Sequence, residues 1–133
     1  MARGILESAS EFVYLEISLE AQDLARRIVE IASDKLATDI ALLDIRPIST
    51  FADYFVVAST ASERQMQAVV RDLEQTLRND DGVRPRKVEG QSSSGWVVMD
   101  YGDVVVHLFS VEQRGFYRLE ELWADAVPLV RMQ

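Results

Sequence analysis

Two short apolar runs separated by two residues constrain the fold of this chain more than any other feature of its sequence. Trp96–Tyr101 and Val104–Phe109 flank Gly102 and Asp103. A two-residue connection with glycine in its first central position is typical of a tight β-hairpin, because glycine readily adopts the positive φ that such turns require. The sequence therefore predicts an antiparallel strand pair with a fixed register over 96–109.

The predicted register divides the hairpin side chains into two faces of different character. One face is aliphatic and is expected to lie in the core; it carries Val97, Met99, Val104, Val106 and Leu108. The other face combines Trp96, Phe109, His107 and Asp100. Large aromatic side chains beside polar groups indicate either a second buried layer or a protein-binding patch. Periodicity alone slightly favours the buried layer.

A helix and two strands are predicted before the hairpin. Apolar residues repeat at helical spacing from Ala21 to Leu36, with Ser18 as the expected N-cap. Ile40–Ile45 and Asp53–Ala58 are apolar runs too short for typical helices, and the second is rich in β-branched and aromatic residues. Both runs are therefore predicted as strands.

A second helix is marked by its N-terminal cap. Ser62 and Gln65 match a capping box, in which the Ser62 hydroxyl accepts from the Gln65 backbone N–H while the Gln65 side chain reaches back. Apolar residues at helical spacing follow: Met66, Val69, Val70, Leu73 and Leu77. Asn79–Gly82 is a polar stop typical of a helix C-terminus.

The remaining segments complete a mixed sheet. Val83–Val88 is predicted as an edge strand because it contains Pro85, and Glu89–Gly95 as a flexible loop. One face of a short closing helix is marked by Phe116, Leu119, Leu122 and Trp123, and Pro128 falls in a tail without an assigned element. The order of elements predicts the α/β or α+β class, with a mixed sheet of about five strands flanked by helices.

Composition excludes several functional classes for this protein. The 133 residues fit one domain, and 14 basic against 22 acidic residues give a net charge of -8, which suits a basic protein partner better than a phosphate backbone. The absence of cysteine excludes disulfides, a thiolate nucleophile and Cys-ligated zinc. Apolar runs far shorter than the roughly twenty residues of a membrane helix predict a soluble protein with no membrane segment. The lack of cysteine suits a reducing, cytoplasmic location.

Motifs of the common catalytic classes do not occur. The sequence contains no P-loop, no dinucleotide-binding glycine motif and no G-x-S-x-G elbow. His107 is the only histidine, so a metal would need carboxylates, of which Asp100, Asp103 and Glu112 are nearest. We therefore expect no metal and no cofactor. Arg84–Lys87 is one basic spot, most simply a solvated edge, with a minor RNA contact as its functional interpretation.

Residues 1–17 stay outside the fold prediction. Their scattered apolar residues do not form the continuous core of a signal peptide. The pairs Glu11-Phe12 and Leu15-Glu16 are what restriction sites used in cloning encode. The segment is therefore expected to be a cloning-derived or disordered extension.

Several of these segments together carry a family resemblance. They are Asp53–Ala58, Ser62-x-Arg-Gln65, Glu89-Gly90, Trp96, Asp100-Tyr-Gly-Asp-Val-Val-Val-His107, Phe109 and Arg114-x-x-Tyr117-x-Leu-Glu-x-Leu-Trp123. The combination resembles the ribosomal silencing factor family, also called Iojap-like. The resemblance divides the chain into the extension at 1–17, a silencing factor domain at 18–125 and a C-terminal tail at 126–133. Ser59–Ser62 departs from the Gly-Thr-Ser-like turn usual in the family, which affects only the loop conformation.

The resemblance implies a function. It implies a non-enzymatic translation repressor that binds ribosomal protein uL14 on the large ribosomal subunit and sterically blocks subunit joining. It also implies a nucleotidyltransferase-like fold and a homodimer. Carried over by position, the family's sheet residues fall on Trp96, Asp100, Tyr101, Asp103 and His107. We expect these residues to form or support the uL14 surface, with Trp96 as its anchor.

Two alternatives stay open. A nucleotidyltransferase-like, nucleotide-binding enzyme rests on the fold analogy alone. Its chemistry needs paired carboxylates that hold magnesium, whereas Asp100 and Asp103 are three residues apart across a turn. It also needs a phosphate loop, whereas Ser92–Gly95 leads into a strand instead of a helix. A dimeric scaffold with a different partner is the other alternative.

Overall fold

A mixed β-sheet organises the computed structural model, which describes residues 20–117 and 125–133. In chain order, the strands are β1 (Thr38–Asp44), β2 (Tyr54–Thr60), β3 (Lys87–Gln91), β4 (Trp96–Asp100), β5 (Val104–Ser110) and β6 (Val127–Met132). Their spatial order within the described residues is β3-β4-β5-β2-β1-β6. β2 and β5 pair in parallel, and the other neighbours are antiparallel. The α/β prediction is confirmed, with one strand more than expected. The further likeness to nucleotidyltransferases stays a prediction.

Two helices cover one face of this sheet. Residues 20–34 form α1, and Glu63–Asp81 form α2. Their apolar stripes bury Ile28 and Leu73 against alternating sheet residues such as Leu42, Val56 and Val106. A 3-10 turn at Ser92–Ser94 precedes β4, and the described part of the third helix, α3, spans Val111–Tyr117. The main core therefore lies between the sheet and the α1 and α2 pair.

The capping box of α2 forms with a small displacement. Ser62 Oγ accepts from the Gln65 N–H at 3.0 Å, as predicted. Gln65 Oε1 accepts from the N–H of Ala61 at 2.7 Å, and Gln65 Nε2 donates to the Lys35 carbonyl at 3.1 Å. The Gln65 side chain therefore ties the start of α2 to the end of α1. Gly82 ends α2 in the left-handed region at φ 66°.

The end of α1 corrects the sequence prediction. The helix stops at residue 34, and Leu36, predicted on the buried stripe, is 77% exposed with φ 64°. The N–H of Ala37 donates to the Ala32 carbonyl and that of Leu36 to Ser33, which is the hydrogen-bond pattern of a Schellman motif. The chain reverses into β1 through this motif. Leu36 therefore occupies the left-handed position that usually carries glycine.

The strand before the hairpin is an edge strand, as predicted, but its boundaries were wrong. β3 spans Lys87–Gln91, so most of the segment predicted as a flexible loop is a strand followed by the 3-10 turn. Its composition has little β propensity, and pairing with β4 decides its conformation. Gly90 has φ 87°, and a Cβ there would lie 2.2 Å from the Trp96 carbonyl oxygen.

The C-terminal residues add the sixth strand. β6 lies at the edge beside β1 and contains Pro128, whose missing N–H is tolerated at an edge. In α3, buried Arg114 donates to Ser59 Oγ at 2.9 Å and to the Asp39 carbonyl, which holds α3 against β1 and β2. Ser18 and most of the predicted closing helix, including Leu119, Leu122 and Trp123, lie outside the described residues.

Candidate binding site

The hairpin has the register that its sequence predicts. Trp96 lies opposite Phe109, Val98 opposite His107, and Asp100 opposite Val105. The Tyr101 N–H donates to the Val104 carbonyl at 2.8 Å to close the turn. All five aliphatic residues expected in the core are buried beneath α1 and α2. The opposite side chains therefore lie on the other side of the sheet, which we call the second face.

The second face is partly a buried layer and partly a pocket. Phe55, Val57, Val105 and Phe109 are buried at its centre, whereas Trp96, Val98 and Asp100 towards the β3 edge are half-buried. A pocket of about 350 Å³, which we call the aromatic pocket, opens at that side. It is lined by Phe51, Phe55, Lys87, Glu89, Trp96, Val98, Asp100, Val105 and His107. The buried-layer interpretation thus holds for the centre of this face, and the protein-binding interpretation stays a prediction for the part towards β3.

Ring contacts hold the aromatic pocket in shape. Trp96 stacks on Phe109 with ring centroids 5.0 Å apart. His107 lies edge-on to Phe55 at 4.6 Å, and Trp96 Nε1 donates to His107 Nδ1 at 3.3 Å. Stacked and edge-on pairs stabilise aromatic clusters beyond the area they bury. The Trp96 indole is therefore oriented by two neighbours.

The protonation state of His107 follows from these contacts. Because Nδ1 accepts from Trp96, the neutral ring carries its proton on Nε2. Burial lowers the pKa of His107 to about 4, so the ring is neutral at physiological pH. Within the part of the chain that the structure describes, buried Nε2 has no hydrogen-bond partner. A charged imidazolium would lose the acceptor that Trp96 uses.

The rim of the aromatic pocket carries the exposed groups. Phe51 is 64% exposed, and its ring centroid lies 6.1 Å from that of Phe55. The Lys87 ammonium pairs with Glu89, whose hydrogen bond raises the pKa of that lysine. Asp100 Oδ1 accepts from the Gly102 N–H at 2.7 Å. Because Glu89 neutralises Lys87, the Asp100 carboxylate leaves the rim with a net negative charge.

The five predicted site residues do not all meet at this pocket. Trp96, Asp100 and His107 line it. Tyr101 lies on the helix-covered face, 8% exposed, where burial first and Glu74 second raise the pKa of its hydroxyl. Asp103 is exposed in the turn, and its carbonyl accepts from the N–H groups of Asp53 and Tyr54 at 2.8 and 3.0 Å. These last two residues support the hairpin instead of lining the pocket.

Sequence reasoning missed four lining residues. Phe55 lies on the predicted second strand, but only the parallel pairing of β2 with β5 brings it beside His107. Lys87 and Glu89 lie in β3, whose position along the chain was predicted wrongly. Phe51 lies in the loop before β2. An aromatic residue in that loop was the only feature of the sequence that could have pointed to it.

Two features of the described part of the chain concern metal ions and membranes. No group of three or more His, Asp or Glu residues among 20–117 and 125–133 is placed to hold a metal ion. None of the helices in those same ranges is long and apolar enough to span a bilayer.

Comparison with known proteins gives consistent relatives. Residues 18–133 match the family model described as "Ribosomal silencing factor during starvation". The chain is 43% identical over 93 residues to ribosomal silencing factor RsfS of Bacillus subtilis, covering 70% of this chain and 78% of that protein. It is 37% identical over 112 residues to RsfS of Halalkalibacterium halodurans, covering 84% and 94%. A crystal structure of a Chromobacterium violaceum protein superposes with TM-score 0.73 at 32% identity, covering 77% and 85%.

Proposed function

We propose, because this chain belongs to the ribosomal silencing factor family, that it represses translation by binding the large ribosomal subunit and blocking its union with the small subunit. The structural observation that carries the proposal is the aromatic pocket. There the half-buried Trp96 is held by Phe109 and His107 at the β3 side of the sheet. No chemical step is required of such a factor.

To block subunit joining sterically, a protein needs only a stable contact with the large subunit and enough volume at that place. A standard interface buries roughly 800 Å² on each partner, and in this proposal the aromatic pocket and its rim form part of that area. Binding energy concentrates in a few aromatic anchors, and an anchor already held in position loses less conformational entropy on binding. Trp96 meets both conditions because its ring is stacked and its N–H is already bonded to His107.

We propose ribosomal protein uL14 as the partner, following the family resemblance. The net charge of -8 favours approach to a basic ribosomal protein, and the Asp100 carboxylate offers an acceptor at the pocket rim. In this proposal Trp96, Asp100 and His107 contact uL14. Tyr101 and Asp103 contribute indirectly, because they support the hairpin that carries these three residues.

Sedimentation with isolated ribosomal subunits tests the proposal. We expect the protein to migrate with the large subunit only, and Trp96→Ala to weaken that binding by about tenfold or more. Leu36→Ala is the matched control, because Leu36 is an exposed apolar residue at the end of α1. If Trp96→Ala has wild-type affinity and melting temperature, the pocket is not part of the contact. Failure of the wild type to bind the large subunit would refute the repressor role.

A subunit-joining assay separates binding from repression. Protein added before the two subunits are mixed should lower the yield of joined ribosomes, and Trp96→Ala should restore that yield. The enzyme alternative predicts saturable calorimetric binding of magnesium with a nucleoside triphosphate, which we do not expect. The homodimer implied by the resemblance predicts a concentration-dependent mass in light scattering over a dilution series.

A further inference from the structure

The three basic residues of α2 share one stripe of its exposed surface. Arg64, Arg71 and Arg78 are seven residues apart, and at 100° per residue each lies about 20° from the next around the helix. All three are exposed. Their positions are about 10 Å apart along the axis, so the set spans about 20 Å. We call this set the arginine stripe.

Two carboxylates of α2 pair with the neighbouring helix. Asp80 and Asp81 contact Arg27 of α1 at 3.1 and 3.6 Å. Glu74 lies near Tyr101 and also lines a surface groove with Arg71. Among the described residues, none of the three stripe guanidinium groups has a carboxylate within 4.0 Å. Within those residues, the arginine stripe is therefore not neutralised by a direct ion pair.

The charge of the whole chain makes the stripe unusual. Residues 63–91 contain six basic and six acidic side chains, so the entire net charge of -8 arises outside them. The stability of α2 does not account for the stripe either. A cation in the last turn, such as Arg78, complements the helix dipole, but Arg64 lies in the first turn, where a positive charge is unfavourable.

Arg71, the central residue of the stripe, borders the same sheet edge as the aromatic pocket. Lys87 and Glu89 of β3 line the aromatic pocket on the second face. Val88 and Gly90, which alternate with them, line a groove of about 380 Å³ together with Arg71 on the other face. A large partner that wraps around the β3 edge would therefore reach both the pocket and the stripe.

We propose that the arginine stripe binds backbone phosphates of ribosomal RNA when the protein is docked through the aromatic pocket. This inference rests on the proposed function. The planar guanidinium group donates paired hydrogen bonds to phosphate oxygens. Over about 20 Å a nucleic-acid duplex presents on the order of ten phosphate charges, so each arginine can pair with a different phosphate. Outside residues 63–91 the chain is acidic, which disfavours phosphate binding there.

The salt dependence of binding to isolated large subunits tests this inference. Each phosphate contact contributes about 0.7 to 0.9 to the slope of log affinity against log salt. Arg71→Gln/Arg78→Gln should therefore lower the slope by about 1.4 to 1.8. Between 50 and 200 mM KCl the wild type should then lose about 7- to 12-fold more affinity than the variant. Adding Arg64→Gln should extend the reduction in slope to about 2 to 3.

The matched control removes the same charge elsewhere. Arg26→Gln/Lys35→Gln changes two exposed cations outside α2 and should leave the slope unchanged. Glutamine is a good helix former, so the melting temperatures should stay close to wild type.

Three outcomes would overturn the inference. An unchanged slope in the stripe variants, with binding retained, would contradict the stripe alone and leave the repressor role intact. Lower affinity with an unchanged slope would indicate uncharged groups as the contact instead of phosphates. A wild type that fails to bind the large subunit would refute the proposed function and this inference with it.

Discussion

The indole N–H of Trp96 donates to Nδ1 of His107 across the hairpin at 3.3 Å. This bond sets both the tautomer of the histidine and the orientation of the tryptophan. It exists only while His107 is neutral, and burial favours that state by lowering the pKa of the ring to about 4. The only histidine of the chain therefore positions the proposed anchor of the binding site.

Folding stability should depend on pH through His107. The pKa is about 4 in the folded protein and near 6.5 in the unfolded chain, so below pH 6.5 the unfolded state binds the proton first. The stabilisation is complete above that value and is lost as the pH falls towards 4. Between pH 7 and 5 the loss should be about 2 kcal/mol. Urea unfolding at both values measures it, with His107→Gln as the control. Parallel pH profiles for the two proteins would contradict the assignment.

Leu36→Gly should raise the stability of the protein. Leu36 holds φ 64° in the Schellman motif after α1, and a non-glycine residue there costs about 1 kcal/mol. Its side chain is exposed, so little packing is lost. We expect a gain of about 1 kcal/mol in urea unfolding. Leu36→Ala keeps the strained φ and should change stability by less than about 0.5 kcal/mol. Equal stabilities for the two variants would show that backbone strain is not the cause.

Gly90→Ala should destabilise the β3 edge and distort the aromatic pocket. The new Cβ would meet the Trp96 carbonyl oxygen at 2.2 Å, and φ is 87°. We expect a loss of about 2 kcal/mol or more, together with weaker binding to the large subunit. Gly115→Ala is the matched control, since a Cβ at that position of α3 has no atom of the described residues within 4 Å. That change should be neutral or slightly stabilising. A wild-type melting temperature in Gly90→Ala would contradict the close approach.

Phe51→Ser should weaken binding without affecting the fold. Phe51 is 64% exposed at the rim of the aromatic pocket, so replacing it removes contact area and little core packing. We expect about fivefold or more lower affinity for the large subunit, equivalent to about 1 kcal/mol, and an unchanged melting temperature. Leu36→Ser changes a comparably exposed apolar residue at the end of α1 and should bind as wild type. Equal affinities for the two variants would place Phe51 outside the interface.

The site could be predicted only in part. Trp96 and His107 share a face because the two-residue turn sets their register, and alternation along a strand is a local property. Tyr101 was expected to form or support the same surface, and the same alternation puts it on the helix-covered face. Phe55 reaches His107 only through a strand pairing that spans about fifty residues of chain. No local pattern encodes such a pairing.

The sequence by itself determined the hairpin register, the α2 cap and the aliphatic core residues, because each depends on neighbours within a few positions of the chain. Tertiary structure alone decided where β3 lies, since backbone pairing with β4 overrides its weak propensity. It also decided the charge pattern of α2. Arg27 of α1 pairs with Asp80 and Asp81, and this pairing depends on the packing of two helices that are distant along the chain.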